Sequence, residues 1–174
     1  MFQYENEAQL AMQALRARLG KFGLELAEDK TRILPIGRFK GTKEDFDFLG
    51  FTFFNTLTRT GKYRLGVRTS KKKLKSKKQE AKVWLATRLT KPVSQTMELI
   101  QLSLAGHCNY YGVSGNFRQI LGFWRYVRYT CYRILNRRHQ KRSMKYHKFL
   151  RIWDHYVKKP HLTKDIWNWQ PKLV

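Results

Sequence analysis

Cysteine is nearly missing from this 174-residue sequence, which holds only Cys108 and Cys131. Two cysteines so far apart build neither a disulfide framework nor a zinc knuckle, and both are expected to pack as small apolar side chains. Long hydrophobic runs are absent as well. No stretch approaches the ~18 apolar residues of a membrane span, and the opening residues MFQYENEAQL carry acids where a secretory leader needs a basic start and an apolar middle. A cytoplasmic protein without a membrane span is expected. Acid is scarce too: beyond Asp47 only Glu80, Glu98, Asp154 and Asp165 remain. Two-metal phosphoryl transfer needs clustered carboxylates to hold its ions, so no catalytic residue and no metal site can be assigned. The histidines His107, His139, His147, His155 and His161 show no metal-ligand spacing with a cysteine or carboxylate and are read as ligand-facing or surface residues.

What is abundant is positive charge, 36 Lys and Arg against 12 Asp and Glu, a formal net charge of +24. It is unevenly placed. Residues 1–50 hold 8 of each sign, so the remainder holds 28 basic against 4 acidic residues and carries the whole excess. Such a density repels itself unless a polyanion neutralises it, which points to nucleic acid. The basic residues alternate with Tyr and Trp over long segments instead of forming one short amphipathic anchor, which argues against a membrane surface. With 42% hydrophobic and 14% aromatic residues, the chain can still bury a real core.

The periodicities predict an α+β chain. Ala8, Met12, Leu15, Leu19 and Phe22 recur at helical spacing, and Gly23 is placed to end that helix. A short strand is expected over 31–36. The segment FDFLGFTFF, residues 46–54, reads as one strand with two largely apolar faces, needing cover on both sides. Its hairpin partner, 63–69, alternates Tyr63, Leu65 and Val67 with the basic Lys62, Arg64 and Arg68. Four helices are expected after it, over about 71–89, 94–112 with Ser94 as N-cap, 117–138 and 143–157. A flexible GVSGN segment, 112–116, separates the second and third. An irregular tail follows, pinned by Trp167 and Trp169.

Three features are candidate binding surfaces. Lys71, Lys72, Lys73, Lys75, Lys77 and Lys78 crowd the start of the first of these helices, where Glu80 is the one acid that could settle them. Charge runs are usually solvated faces, but i,i+4 ion pairs cannot balance this one, and a phosphate backbone would. On the third helix Arg125, Arg128, Tyr129, Tyr132 and Arg133 lie away from an apolar stripe of Phe117, Ile120, Leu121, Trp124, Val127, Cys131, Ile134 and Leu135. Interleaved rings and guanidinium groups can grip irregular RNA, or the tyrosines can simply rim the core. Asn109, Tyr110 and Tyr111 form a polar-aromatic cluster that periodicity alone reads as a helix terminus.

Three runs in order, LGKFGLELAEDKTRILPIGRF (19–39), FDFLGFTF (46–53) and AGHCNYYGVSGNF (105–117), resemble the C-terminal part of group II intron reverse transcriptases, also called maturases. The resemblance covers about residues 8–157. It implies a palm remnant over 1–70 with a helix, a short strand and a β-hairpin, then a mainly helical thumb, the maturase-specific domain, over 71–160, and a tail over 161–174. It implies that Lys30 is the palm lysine near the incoming nucleotide and that Phe48, Leu49, Gly50 and Phe51 are the primer-grip hairpin, where Gly50 lets a primer backbone approach. Gly106, Asn109, Tyr110 and Tyr111 match the thumb signature, while Asp29, His107 and Cys108 depart from the commoner Glu, Trp and Ala. The paired aspartates that bind magnesium in the family are not in this chain. The expectation is therefore an RNA-binding fragment that supports splicing by binding structured intron RNA, and also RNA-DNA hybrid, with no polymerase activity of its own. The alternatives are one half of a split RNA-directed DNA polymerase, completed by an upstream fragment that carries the aspartates, or an inactive remnant of a truncated gene.

Overall fold

In the computed structural model, residues 2, 4–34, 45–88, 90–137 and 144–165 are described. Helix α1 spans Glu5–Gly20 and ends as its sequence predicts, with Gly23 at φ 67° and the Leu24 amide donating to the Leu19 carbonyl at 3.1 Å. That is a Schellman-type closure, which favours glycine because it needs a positive φ. Although α1 has the expected apolar periodicity, none of its residues is buried. Residues 31–34 form no strand, and 35–36 lie outside the described residues.

The segment expected as one strand is two. Strand β1, Asp45–Phe48, turns back through Leu49 and Gly50 into β2, Phe51–Leu57, with Phe48 opposite Phe51 and Phe46 opposite Phe53. Both turn residues have positive φ, 49° at Leu49 and 80° at Gly50, the geometry of a two-residue type I′ loop. The strand therefore does not need cover along its whole length: Phe48 is 59% exposed and Leu49 67%. Strand β3, Tyr63–Thr69, completes a sheet of order β1-β2-β3. Its basic face is partly neutralised, since Arg68 donates to Asp45 at 2.6 Å and its guanidinium lies 4.8 Å from the Phe54 ring centroid. Gly66 is compact for a reason: a Cβ there would come within 2.5 Å of that same ring.

Four helices follow: α2 Lys71–Ala86, α3 Val93–Tyr111, α4 Phe117–Asn136 and α5 Tyr146–Tyr156. Pro92, not Ser94, takes the N-cap position of α3, because its carbonyl already accepts from the Thr96 amide and leaves Ser94 inside the first turn. Helix α2 packs on α4, and α3, α4 and α5 pack on one another. The core holds Leu85, Met97, Ile100, Phe123, Trp124, Val127, Phe149 and Trp153. Phe117, expected in the apolar stripe, is 40% exposed, and Phe123 is buried in its place.

The chain divides into two compact units, one of residues 1–44 and 55–64, the other of residues 45–54 and 65–174. Helix α1 belongs to the first, and helices α2 to α5 and the β1–β2 turn belong to the second. Among the described residues, no helix is long and apolar enough to cross a membrane. Trp167 and Trp169, expected to pin the tail, lie outside the described residues.

Candidate nucleic-acid interface

The β1–β2 turn is bolted at both of its carbonyls. Tyr110 donates its hydroxyl to the Leu49 carbonyl at 2.9 Å, and the Ser70 amide at the start of α2 donates to the Gly50 carbonyl at 2.9 Å. A bulky residue at positive φ is strained, and such strain persists only where its surroundings fix it. Here the end of α3 and the start of α2 do so. Phe51 stacks on Tyr110 with ring centroids 5.9 Å apart and planes 13° apart, and it meets Tyr111 at 5.1 Å.

Gly50 faces protein. A Cβ there would come within 2.9 Å of the Tyr111 hydroxyl and 3.7 Å of Lys73 Cγ. The direction in which a side chain would leave Gly50 is thus taken by Tyr111 and the stem of Lys73. Phe48, Leu49 and Tyr110 remain exposed and form an apolar-aromatic knob beside the lysine helix. Because Phe51 is only half-buried, Phe51→Ala should cost about 2 kcal/mol, short of the ~3–5 typical of a fully packed ring. Thermal melting checks this: no loss would mean that the turn is not docked on α3 in solution.

Asn116 sets the whole junction. It is fully buried, and its side chain accepts from the Thr69 amide at 2.8 Å while donating to Thr69 Oγ1 at 2.8 Å and to the Tyr111 carbonyl at 2.9 Å. Asn116 also occupies the N-cap position of α4, yet its side chain caps nothing there. It ties the end of β3 and the end of α3 to the start of α4, so the segment expected to be flexible is fixed. Gly112 lets the tail approach: Thr163 and Lys164 donate their amides to its carbonyl at 2.8 and 2.9 Å, and a Cβ on Gly112 would come within 2.7 Å of Thr163 Oγ1.

His107 is buried between Tyr111, centroid 4.7 Å away, and Phe123, 4.4 Å away. Among the described residues neither ring nitrogen has a hydrogen-bond partner. Burial pushes its pKa down to about 4, and the Lys77 ammonium adds to the effect. Burial likewise raises the Tyr111 hydroxyl, helped by Tyr110 and opposed by Lys77. His107 is thus a neutral core side chain and not the ligand-facing or surface residue expected.

On α2, Lys71, Lys72, Lys73, Lys75 and Lys77 are exposed. Lys77 pairs with Glu80 at 3.0 Å, and this hydrogen bond, with one from Ser76, lowers the Glu80 carboxyl. Lys78 is half-buried, its ammonium 5.3 Å from the Tyr126 ring centroid. On α4, Arg125, Tyr129 and Arg133 are exposed at four-residue spacing, which makes one row. Arg128 and Tyr132 leave that row: Arg128 lies over Trp124 at 4.7 Å, and Tyr132 packs on Tyr146 and Phe149. Asn109 is exposed, and Gly106 would accept a Cβ without contact. Lys30 belongs to the other unit, exposed in a turn where its amide donates to the Ala27 carbonyl.

Several carboxylates of the described residues are held by neighbouring side chains. Asp45 is engaged by Arg68, Asp47 by Thr52 and Ser70, and Glu80 by Lys77. No group of three metal-ligating side chains converges among the described residues. Comparison with protein-family models, with curated proteins and with solved structures finds no match to the chain.

Proposed function

We propose that the chain binds structured RNA as the C-terminal part of a group II intron reverse transcriptase or maturase, a cytoplasmic protein that supports splicing by holding intron RNA. The observation that carries this reading is α2. Five exposed lysines, Lys71, Lys72, Lys73, Lys75 and Lys77, stand on one short helix with a single carboxylate, Glu80, to balance them. Phosphates supply the missing anions, and their binding releases counterions. The exposed knob of Phe48, Leu49 and Tyr110 beside Lys73 adds ring and apolar surface on which an unpaired base or a sugar can rest.

The test is a salt titration of binding to a folded RNA by fluorescence anisotropy. Changing Lys71, Lys72 and Lys75 together to Gln should make the log-log salt slope shallower by up to about three units, with the fold intact. Lys78 is left in place because it covers Tyr126. A wild-type affinity that is flat in salt would sink the reading.

One observation favours a second reading, in which a separate polypeptide completes a split polymerase. Helix α1 buries none of its residues, and Phe22 and Leu24 just beyond it are 71% and 57% exposed. Such apolar surface on the near-neutral part of the chain suits a protein partner better than a phosphate backbone.

A further inference from the structure

Lys73, Lys77, Glu80, Trp84 and Arg88 follow one another at three- or four-residue spacing from α2 into the turn after it, so they share a face. Beside this face opens a cleft of about 370 Å³ between α2 and α3, floored by Phe123 and Val127 of α4. Its walls are apolar, with Trp84 and Leu85 against Ile100 and Leu104. Polar groups line it at Lys77, Glu80, Arg88 and Ser103. Arg88 lies 5.0 Å from the Trp84 ring centroid, and Lys77 is held against Glu80 at 3.0 Å.

We propose that this cleft receives a single unpaired nucleobase extruded from a bound RNA. The proposal rests on the RNA-binding reading above and names a ligand subsite for it. The volume is at the low end of ligand pockets, which run from ~300 to ~1,000 Å³, and it has room for one planar heterocycle. Trp84 offers a ring for stacking. Lys77 and Arg88 line the cleft with positive charge that the phosphates flanking an extruded base can use, and the Glu80 carboxylate can accept from an exocyclic amino group. Charge decides between occupants: the lysine row leads a polyanion directly to the opening, whereas a basic or neutral partner helix gains nothing from it. An unpaired base is also the one that costs least to extrude.

The test uses the full chain and two RNA hairpins that differ in one nucleotide, a 2-aminopurine that is bulged in one and base-paired in the other. Anisotropy reads affinity, and 2-aminopurine fluorescence reads stacking. The bulged hairpin should bind about tenfold more tightly than the paired one, with its fluorescence quenched. Ser103→Trp fills the cleft from an exposed position and should remove both the preference and the quenching. Trp84→Leu, which keeps an apolar side chain but no ring, should also lose the preference, so the result does not hang on the folding of one variant. Equal affinity for the two hairpins overturns the proposal and leaves RNA binding standing; that is also the result expected if the cleft instead takes an apolar side chain of a protein partner. A preference that survives both substitutions places the base elsewhere and overturns it too. Binding of neither hairpin overturns the proposal together with the RNA-binding reading.

Discussion

Replacing Asn116 with alanine should lower the stability of the chain by about 3–5 kcal/mol and its melting temperature by on the order of 10 °C. The side chain makes three hydrogen bonds, to the Thr69 amide, the Thr69 hydroxyl and the Tyr111 carbonyl, at a position with no solvent exposure. Alanine leaves the Thr69 amide and hydroxyl without this partner at a residue that is 2% exposed, whereas the Tyr111 carbonyl keeps the Val113 amide at 2.8 Å; each orphaned group costs about 1–3 kcal/mol. Asn116→Asp should fare no better, since it keeps the acceptor for the Thr69 amide but loses both donors and buries a carboxylate. A control sits two residues away: Ser114 bonds Asp165 at an exposed position, and Ser114→Ala should shift melting by only a small fraction of that. Melting followed by circular dichroism separates the cases, and amide hydrogen exchange at Thr69 should rise in the alanine variant. An unchanged melting temperature would mean that the junction of β3, α3 and α4 does not form in solution.

The parts of this fold that were legible in sequence are those set by periodicity. Of the eight residues in the apolar stripe of α4, Ile120, Trp124, Val127, Cys131, Ile134 and Leu135 are buried, while Leu121 is half-buried and Phe117 exposed. What periodicity does not encode is whether a stripe finds a partner, and α1 has the pattern without the burial. The turn inside FDFLGFTFF was hidden by its composition. Leu at the first position of a type I′ loop departs from the Asn or Asp that marks such turns, and five phenylalanines read as one strand. Tyr110 supplies the compensation by holding the Leu49 carbonyl, a contact across 61 residues that no local window contains. Asn116 hid in the same way, since a polar residue before a helix reads as an N-cap or as loop. Its side chain reaches back to β3 instead.

The lysines were the legible part of the candidate site, because charge on α2 has nowhere to hide. Their division was not: Lys78 covers Tyr126, and the stem of Lys73 packs beside Gly50. Tyr132 and Arg128 were drawn into the core side of α4 by Phe149 and Trp124. The cleft beside Trp84 was illegible, because it depends on how far apart α2 and α3 stand over α4. No residue pattern on one helix carries that distance.

Between pH 6.5 and pH 4 the chain should lose on the order of 3 kcal/mol of stability through His107 alone. The pKa of this imidazole falls from the ordinary 6.5 to about 4 in the fold, chiefly because burial between Tyr111 and Phe123 disfavours its charged form. Above pH 6.5 the ring is neutral in both states, and the contribution is fully present. As pH falls below 6.5, the unfolded chain takes up a proton that the folded chain refuses, so unfolding is favoured by about 1.4 kcal/mol per pH unit. Below about pH 4 both states are protonated and the loss levels off. Lys77 on α2 adds positive charge beside the ring, and Tyr111 on α3 offers no negative charge to offset it, since its hydroxyl is pushed up and stays neutral. His107→Phe keeps an aromatic ring between the same neighbours and removes the titrating group. Denaturant unfolding measured at half-unit steps from pH 7.5 to 4 should fall steadily below pH 6.5 for the natural chain and much less steeply for His107→Phe. Parallel curves for the two chains would mean that His107 titrates as an exposed side chain, and that the packing of α3 on α4 around it is looser than the structure gives.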